Sequence, residues 1–189
     1  MSAELRKFSE IKLVNFGDID EQFQIGKNIN AFVISGSAAR IVQSSDRAKF
    51  EGVEEFIRNC RVPLLGICFG HQLLCWAFGA EAGSVPQQVA NRFEGVRVIQ
   101  SDEIFAGFRE GQILPLAENH YDYVVKENLE NAGFDLMADS ASCEVEVVKH
   151  KTKPFYGVQF HPERITIKSQ SYPQGHKIIK NFYRNVVKR

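Results

Sequence analysis

Residues 63–74, PLLGICFGHQLL, decide the fold that this sequence predicts. They contain the end of an almost continuous apolar run, 62–67, which is typical of a strand covered on both faces. A helical pattern follows at 70–78 and ends at Gly79. A buried strand that leads directly into a helix indicates one unit of a parallel sheet with helices packed against it.

The chain before this unit repeats the same order of elements. The apolar runs 11–16 and 31–34 are predicted to be short strands. Ser44 and Ser45 are placed to cap a helix whose apolar side chains between 50 and 57 recur at helical spacing. The first half therefore predicts alternating strands and helices.

The second half has a different pattern. Residues 96–99, 112–115, 143–149 and 155–160 are strand-like, and several of these segments alternate apolar with polar side chains, as half-exposed antiparallel strands do. A final helix is predicted at 175–187. We therefore expect the α/β class, with a single open, largely parallel sheet, helices on both of its faces and a few antiparallel strands.

Composition limits the possible classes of function. The chain has 189 residues, of which 44% are hydrophobic and 24% charged, so we expect one compact domain, 1–189. Acidic and basic residues both number 23, and this balance predicts no attraction to nucleic acid or membranes. Without an apolar leader or a membrane-spanning run, we expect a cytoplasmic protein whose four cysteines are thiols.

Cys68 is the candidate nucleophile. It lies where the predicted strand meets the predicted helix, with Gly66 and Gly70 two residues away on either side. This is the outline of a nucleophile elbow, in which small neighbours allow the strand and the helix to approach closely. The positive end of the helix dipole favours a thiolate at this place. Three cysteines without the glycine flank are predicted to be structural: Cys60, Cys75 and Cys143.

His161 is the candidate base. It follows an apolar strand, Pro162 stops that strand, and Glu163 lies two residues further on. A carboxylate in this place can accept the second imidazole N–H and stabilise the imidazolium that forms when the base takes a proton. Three other histidines lack such support and are expected to be structural: His71, His150 and His176.

Two further polar segments complete the candidate site. Residues 118–122 supply an amide, an imidazole and a carboxylate that could recognise the charged end of an amino acid. Gly36 follows a predicted strand, where a turn could direct backbone N–H groups at an oxyanion. Because the sequence has neither a phosphate-binding loop nor clustered metal ligands, we expect acyl transfer without a cofactor or metal.

Three motifs in order, GICFGHQ, ENHYD and GVQFHPE, resemble the class I (triad) glutamine amidotransferases. Within that family, residues 138–163 look most like the glutaminase of GMP synthase, particularly the archaeal type in which it is a separate subunit. The resemblance extends from about Leu5 to Phe182 and implies a flavodoxin-like sheet.

The resemblance also implies residue roles. Cys68 would attack the side-chain amide of glutamine, with His161 as base and then acid and with Glu163 to orient His161. Backbone amides of Phe69 and of the turn at Gly36 and Ser37 would form the oxyanion hole. The substrate-binding residues would be Gln72, Asn119, His120, Tyr121 and Asp122. Ammonia would pass to a separate ATP-dependent synthetase subunit that activates XMP.

The sequence departs from the family pattern at three places. The family opens with a strand and a Gly-rich segment, whereas this sequence begins inside the following helix, so either the start is misassigned or the sheet lacks a strand. Ser37 stands where the family has a second glycine. Residues 164–175 differ from the GMP-synthase pattern in a region where partner contacts are expected.

Two other functions remain compatible with the same residues. One is an amidotransferase or γ-glutamyl hydrolase with another acceptor or substrate, because hydrolysis and transfer share the same thioester. The other is a regulatory subunit with little turnover of its own, against which the intact Cys68, His161 and Glu163 argue.

Overall fold

The computed structural model of the protein describes residues 2–20 and 23–188, so Met1, Glu21, Gln22 and Arg189 of the predicted domain lie outside the described residues. The helices of this part are α1 (Ser2–Leu5), α2 (Ser44–Arg47), α3 (Glu51–Asn59), α4 (Phe69–Ala77) and α5 (Gln174–Asn181). The strands are β1 (Phe32–Ile34), β2 (Leu64–Ile67), β3 (Ala82–Val98), β4 (Ile113–Val124), β5 (Phe134–Asp139), β6 (Val147–His150), β7 (Phe155–Val158), β8 (Thr166–Ile167) and β9 (Gln170–Ser171). A π-helical turn, Phe182–Val187, continues α5.

Seven strands form one sheet in the order β1-β2-β7-β6-β5-β3-β4, and β8 pairs with β9 apart from it. The pairs β1–β2 and β2–β7 are parallel. The pairs from β7 to β4 are antiparallel. The predicted α/β class is confirmed. The parallel strands are β1, β2 and β7, and the candidate nucleophile directly follows β2. The antiparallel part extends further than the sequence predicted.

The hairpin of β3 and β4 is the largest difference from the predicted elements. The predicted strands 96–99 and 112–115 are only the ends of β3 and β4, which continue for many residues away from them. Register shifts between Ser84 and Val89 and between Val89 and Arg92 interrupt the pairing. Such irregularities bend a strand, and the curled hairpin brings the Ala117 carbonyl to within 2.7 Å of the His161 backbone nitrogen.

The predicted strand at 11–16 is wrong. Residues 10–15 have no regular structure, and a short 3-10 turn, Phe16–Asp18, follows them. A cleft of about 750 Å³ separates this segment from β1, and the Leu13 side chain is 73% exposed. An apolar run becomes a strand only where another strand pairs with it, and none does so here among the described residues.

The start of the helix after Gly36 also differs. Ser44 is the first residue of α2 rather than its cap, and the residue in the capping position is Gln43, which makes no side-chain capping bond. The Asp46 carboxylate instead accepts a hydrogen bond from the backbone nitrogen of Arg40 at 2.9 Å. A 3-10 turn, Ala48–Phe50, then separates α2 from α3, so the predicted single helix is divided.

Other boundaries moved by a few residues, and three strands, β5, β8 and β9, were missed. The predicted segment 143–149 begins as β6 only at Val147, because Cys143 closes a turn with Ser140. The predicted strand 155–160 ends at Val158. The sequence did not predict β5, although it joins β6 to β3 in the sheet.

The core consists of two apolar clusters that meet alternate residues of the central strands. Leu64 and Phe155 belong to the cluster that includes side chains of α3 and α4. Leu65 and Tyr156 belong to the cluster that includes Ile178 of α5. Because successive strand residues point to opposite faces, the two clusters share the strands between them. Within residues 2–20 and 23–188, no helix has the length and apolar character needed to cross a membrane.

Candidate active site

Cys68 lies between β2 and α4 in a backbone conformation that L-residues rarely adopt, with φ 52° and ψ −109°. Its backbone nitrogen donates to the Val158 carbonyl at 2.8 Å, and its carbonyl accepts from the Gln72 nitrogen at 3.1 Å. Strained dihedrals of this kind persist only where the surroundings fix them, and they occur often at functional sites. The local geometry is that of the predicted nucleophile elbow.

The two flanking glycines are required by close backbone contacts. A Cβ atom on Gly66 would lie 2.4 Å from the Gly70 carbonyl oxygen, and one on Gly70 would lie 2.1 Å from the Ile34 carbonyl oxygen. Neither contact could be relieved by a side-chain rotation, because the opposing atoms belong to the backbone. The glycine flank that the sequence singled out therefore holds β1, β2 and α4 together around Cys68.

The structure brings His161 and Glu163 together and places them beside Cys68. His161 Nδ1 lies 2.8 Å from Glu163 Oε1, and the histidine side chain is buried. Burial alone would lower the pKa of His161, but its hydrogen bonds with Cys68 and Glu163 raise that pKa to about 9. Although burial acts in the opposite direction, the bond to His161 keeps the pKa of Glu163 below its usual value. Both hydrogen bonds therefore favour the protonated form of the His161 ring.

The turn at Gly36 covers the same site. A Cβ atom on Gly36 would lie 3.0 Å from His161 Cε1 and 3.6 Å from Cys68 Cβ, so the turn packs directly against both side chains. Ser37 is exposed, and its hydroxyl accepts a hydrogen bond from the Ala39 nitrogen at 3.1 Å. Ser37 is not among the described residues with positive φ, so a side chain at this position causes no backbone strain. Phe69 begins α4, where the first backbone N–H groups have no acceptor within the helix.

Residues 118–122 lie in β4, and their side chains differ in exposure. Asn119 is half-buried, and its carbonyl oxygen lies 3.8 Å from Cys68 Sγ. His120 is buried, and its Nδ1 lies 3.1 Å from the Asp122 carbonyl oxygen. Tyr121 is 42% exposed. Asp122 is only 3% exposed, and its carboxylate is paired with Arg40. Alternation along a strand explains why neighbouring residues of the motif point in different directions.

Gln72 is buried, and both hydrogen bonds from its amide nitrogen go to protein acceptors. They reach the Asp122 carbonyl oxygen at 2.7 Å and Gln159 Oε1 at 3.1 Å. Gln159 in turn directs its own amide nitrogen at Cys68 Sγ, 3.8 Å away. Sequence reasoning missed Gln159, although it stands two residues before His161 in the quoted motif.

Sequence reasoning did not predict a pair of buried carboxyl groups, although one of the two belongs to the motif 118–122. Glu118 and Glu146 are buried and interact with each other. Burial, followed by the neighbouring Glu146, raises the pKa of Glu118 well above its usual value. Burial also raises the pKa of Glu146 to about 7. For Glu118, the available signal was a charged residue on the buried side of an alternating strand.

The other three cysteines and His71 are buried. Burial raises the pKa values of Cys60, Cys75 and Cys143, which keeps them as thiols. Burial lowers the pKa of His71 to about 3, so this histidine is neutral. Its ring stands where a Cβ of Gly157 would otherwise lie, 2.3 Å from Nδ1. Among the described residues, no group of His, Cys, Asp and Glu side chains is arranged to hold a metal ion.

Comparisons with known proteins identify relatives of this chain. A family model described as glutamine amidotransferase class-I matches residues 2–186. A glutamine-hydrolyzing GMP synthase subunit of Methanothermobacter thermautotrophicus is 38% identical over 129 residues, which cover 68% of this chain and 63% of that relative. The chain therefore spans less than two thirds of that relative. The corresponding GMP synthase subunit of Methanocaldococcus jannaschii is 34% identical over 163 residues, 86% of this chain and 77% of that protein.

Solved structures share the fold. A crystal structure of a protein from Thermoplasma acidophilum superimposes with a TM-score of 0.79 at 30% identity, covering 99% of this chain and 89% of the other. A glutamine amidotransferase from Thermotoga maritima superimposes with a TM-score of 0.71 at 16% identity, covering 97% and 74%. The second likeness concerns the fold alone.

Proposed function

Because this chain belongs to the class I glutamine amidotransferase family, we propose that it hydrolyses glutamine to glutamate and ammonia through a thioester on Cys68. The observation that supports the proposal most strongly is the strained Cys68 beside a His161–Glu163 pair whose Nδ1–Oε1 distance is 2.8 Å. A thiol nucleophile, a base and a carboxylate that orients the base are the groups that acyl transfer by cysteine needs.

The chemistry follows from these groups. The Cys68 thiol gives its proton to His161 as the sulfur attacks the side-chain amide carbon of glutamine, and the carbonyl electrons move onto the oxygen. The backbone N–H groups of Phe69 and of the turn at Gly36 and Ser37 would bind that oxyanion. When the intermediate collapses, the His161 imidazolium gives its proton to the departing nitrogen, and ammonia and a γ-glutamyl thioester result.

The second half of the reaction uses the same residues in reverse. His161, now neutral, takes a proton from the water that attacks the thioester carbon. The carbon–sulfur bond then breaks, glutamate leaves, and Cys68 and His161 return to their starting charges. The hydrogen bond from His161 Nδ1 to Glu163 keeps Nε2 directed at the reacting atoms through both steps.

The remaining roles belong to the same proposal. Asn119 and the amide oxygen of Gln72 would lie along the glutamine substrate, and the exposed Tyr121 would border its charged end. His120 and Asp122 are buried and would contribute through their neighbours. We also propose a single domain, helices on both faces of a flavodoxin-like sheet, and a cytoplasmic location.

The acceptor is proposed from the relatives, which are named as glutamine-hydrolyzing subunits of GMP synthase. We propose that ammonia passes to a separate ATP-dependent, GMP synthetase-like subunit. Mixing the protein with such a subunit from the same organism, XMP, ATP and magnesium should yield GMP that depends on glutamine. If neither GMP nor any rise in glutamate release appears, the GMP assignment is wrong and another acceptor or a γ-glutamyl hydrolase activity takes its place.

The glutaminase itself is tested without the partner. A diazo-ketone analogue of glutamine should label Cys68 in the wild type, and Cys68→Ala should neither be labelled nor release glutamate while keeping its fold. Cys75→Ala is the matched control, since its buried thiol should not react. Labelling of Cys75 or Cys143 in place of Cys68 would disprove the assignment.

A further inference from the structure

We propose that the ion pair between Arg40 and Asp122 positions the turn at Gly36 and Ser37, which makes both charged residues positioning residues for glutamine hydrolysis. The inference rests on the proposed function. It gives Asp122 a role different from the substrate contact that the sequence predicted, and it gives Arg40 a role that the sequence did not predict.

Asp122 is a buried carboxylate whose oxygens are occupied by protein donors. Arg40 Nε donates to Oδ1 at 2.7 Å, and Arg40 Nη2 lies 2.5 Å from the same oxygen. The Ser84 hydroxyl also donates to Oδ1 at 2.8 Å, and the Val42 nitrogen donates to Oδ2 at 3.4 Å. A buried carboxylate that is paired in this way has little capacity left for a substrate.

Arg40 fixes the far end of the segment that contains the turn. Gly36 packs against Cys68 and His161 at one end, and four residues later Arg40 is held by Asp122 at the other. The backbone nitrogen of Arg40 also donates to Asp46 at 2.9 Å. Because Ser37 and Ala38 between these ends are exposed, they lack a packed surface that could hold the turn in place.

Asp122 also connects to the neighbours of the nucleophile, through its backbone rather than its carboxylate. Its carbonyl oxygen accepts from Gln72 Nε2 at 2.7 Å, and the same nitrogen donates to Gln159 Oε1 at 3.1 Å. Gln159 Nε2 then lies 3.8 Å from Cys68 Sγ. Asp122 therefore connects the turn at Gly36 and Ser37 to the Cys68 sulfur through hydrogen bonds. These bonds set the distance between the oxyanion donors and the nucleophile.

The consequence is a difference between binding and turnover. Donors that meet the oxyanion act mainly in the transition state, so a displaced turn lowers kcat more than it changes KM. A displacement of about 1 Å can cost on the order of a hundredfold in rate. If Arg40 held the substrate carboxylate instead, its removal would raise KM.

The test compares two arginines that each pair with an aspartate. Arg40→Met should lower kcat for glutamate release about 10- to 100-fold and change KM less than about threefold. Arg97→Met is the matched control, because Arg97 pairs with Asp139 in the sheet at 2.9 Å and 2.5 Å. It should keep wild-type kcat and KM. Arg40 Nη2 also donates to the Ser84 hydroxyl oxygen at 2.9 Å. Arg40→Lys keeps the charge but cannot reach Asp122 and Ser84 together, so an intermediate kcat is expected.

A second measurement separates positioning from damage to the thiol or to the fold. Iodoacetamide alkylates Cys68 without forming an oxyanion, so the rate of this alkylation in Arg40→Met should stay within about twofold of the wild-type rate. Labelling by the diazo-ketone analogue should slow in proportion to kcat.

Three outcomes would overturn the inference: wild-type kcat in Arg40→Met, a change in KM alone, or parallel slowing of both labelling reactions. If Arg40→Met does not fold, Arg40→Lys with wild-type kcat overturns it as well. If the wild type and Arg97→Met both fail to hydrolyse glutamine and to label Cys68, the proposed function fails instead.

Discussion

At the scale of single residues, the charge state of His161 is set by its two neighbours. The hydrogen bonds of His161 with Cys68 and Glu163 raise its pKa to about 9 against the effect of burial. The imidazolium is the acid for departing ammonia, so kcat/KM should fall as pH rises through about 9. In Glu163→Gln the carboxylate is lost, the pKa of His161 falls, and this alkaline limb should move to lower pH.

The measurement is the pH profile of glutamate release for the wild type, Glu163→Gln and His161→Asn. We expect Glu163→Gln to keep a measurable fraction of activity, because it only loses the orientation and charge stabilisation of the base. His161→Asn should have no steady-state turnover, because it has no proton carrier. Equal, small effects from both substitutions would place the base elsewhere, with His120 as the next candidate.

The buried Glu146 predicts a second pH effect, on stability. Burial raises its pKa from 4.5 to about 7, so between these values the folded chain keeps a proton that the unfolded chain loses. The stabilising contribution is complete below pH 4.5 and is lost as pH rises through about 7. Glu146→Gln removes this titration. Its free energy of unfolding should therefore decline less with pH over that window than that of the wild type.

Urea unfolding at several pH values between 4 and 8 measures this effect. Glu144→Gln, two residues away and exposed, is the matched control and should keep the wild-type pH dependence. A Glu146→Gln profile parallel to that of the wild type would show that this side chain does not hold the proton.

At the scale of elements, the elbow depends on the contact between β1 and α4. A Cβ on Gly70 would lie 2.1 Å from the Ile34 carbonyl oxygen, so Gly70→Ala must push the helix away from the strand. We expect a loss of more than about 2 kcal/mol in the free energy of unfolding, together with a large fall in glutaminase activity.

Chemical denaturation and glutamate release measure the two effects. Gly26→Ala is the matched control, because a Cβ there would meet only Ile29 at 3.8 Å, which is an ordinary contact. Its stability should stay within about 0.5 kcal/mol of wild type. If Gly70→Ala behaved like Gly26→Ala, the close packing of β1 and α4 would not be needed.

At the scale of the whole molecule, two apolar clusters share the central strands and should unfold together. Leu64 and Leu65 are adjacent in β2 but belong to different clusters. Leu64→Ala and Leu65→Ala should each cost about 2–5 kcal/mol, and each should shift one transition rather than create a second.

The probes for this experiment sample different parts of the molecule. The single tryptophan, Trp76 in α4, packs against the cluster that contains Leu64, and its fluorescence reports on that cluster. Far-UV circular dichroism follows the strands and helices as a whole. The two curves should coincide for the wild type and both variants. Separate transitions would mean that the chain contains two independently folding parts.

The sequence by itself determined the features that depend on neighbours along the chain. Gly66, Cys68 and Gly70 are within five residues of one another, and the elbow that they predict is present. His161 and Glu163 are two residues apart, and their hydrogen bond forms as expected. Local spacing was sufficient because a strand end, a turn and a helix start fix these side chains over a few residues.

Only the tertiary structure decided which distant segments meet. The apolar run 11–16 pairs with no strand in the described residues, whereas the polar motif 118–122 lies in a strand because it pairs with β3. Arg40 and Asp122 are separated by 82 residues, and no pattern in the sequence links them. Strand pairing and buried ion pairs depend on partners that are remote in the chain, so local propensity cannot specify them, and the fold selects them through burial and register.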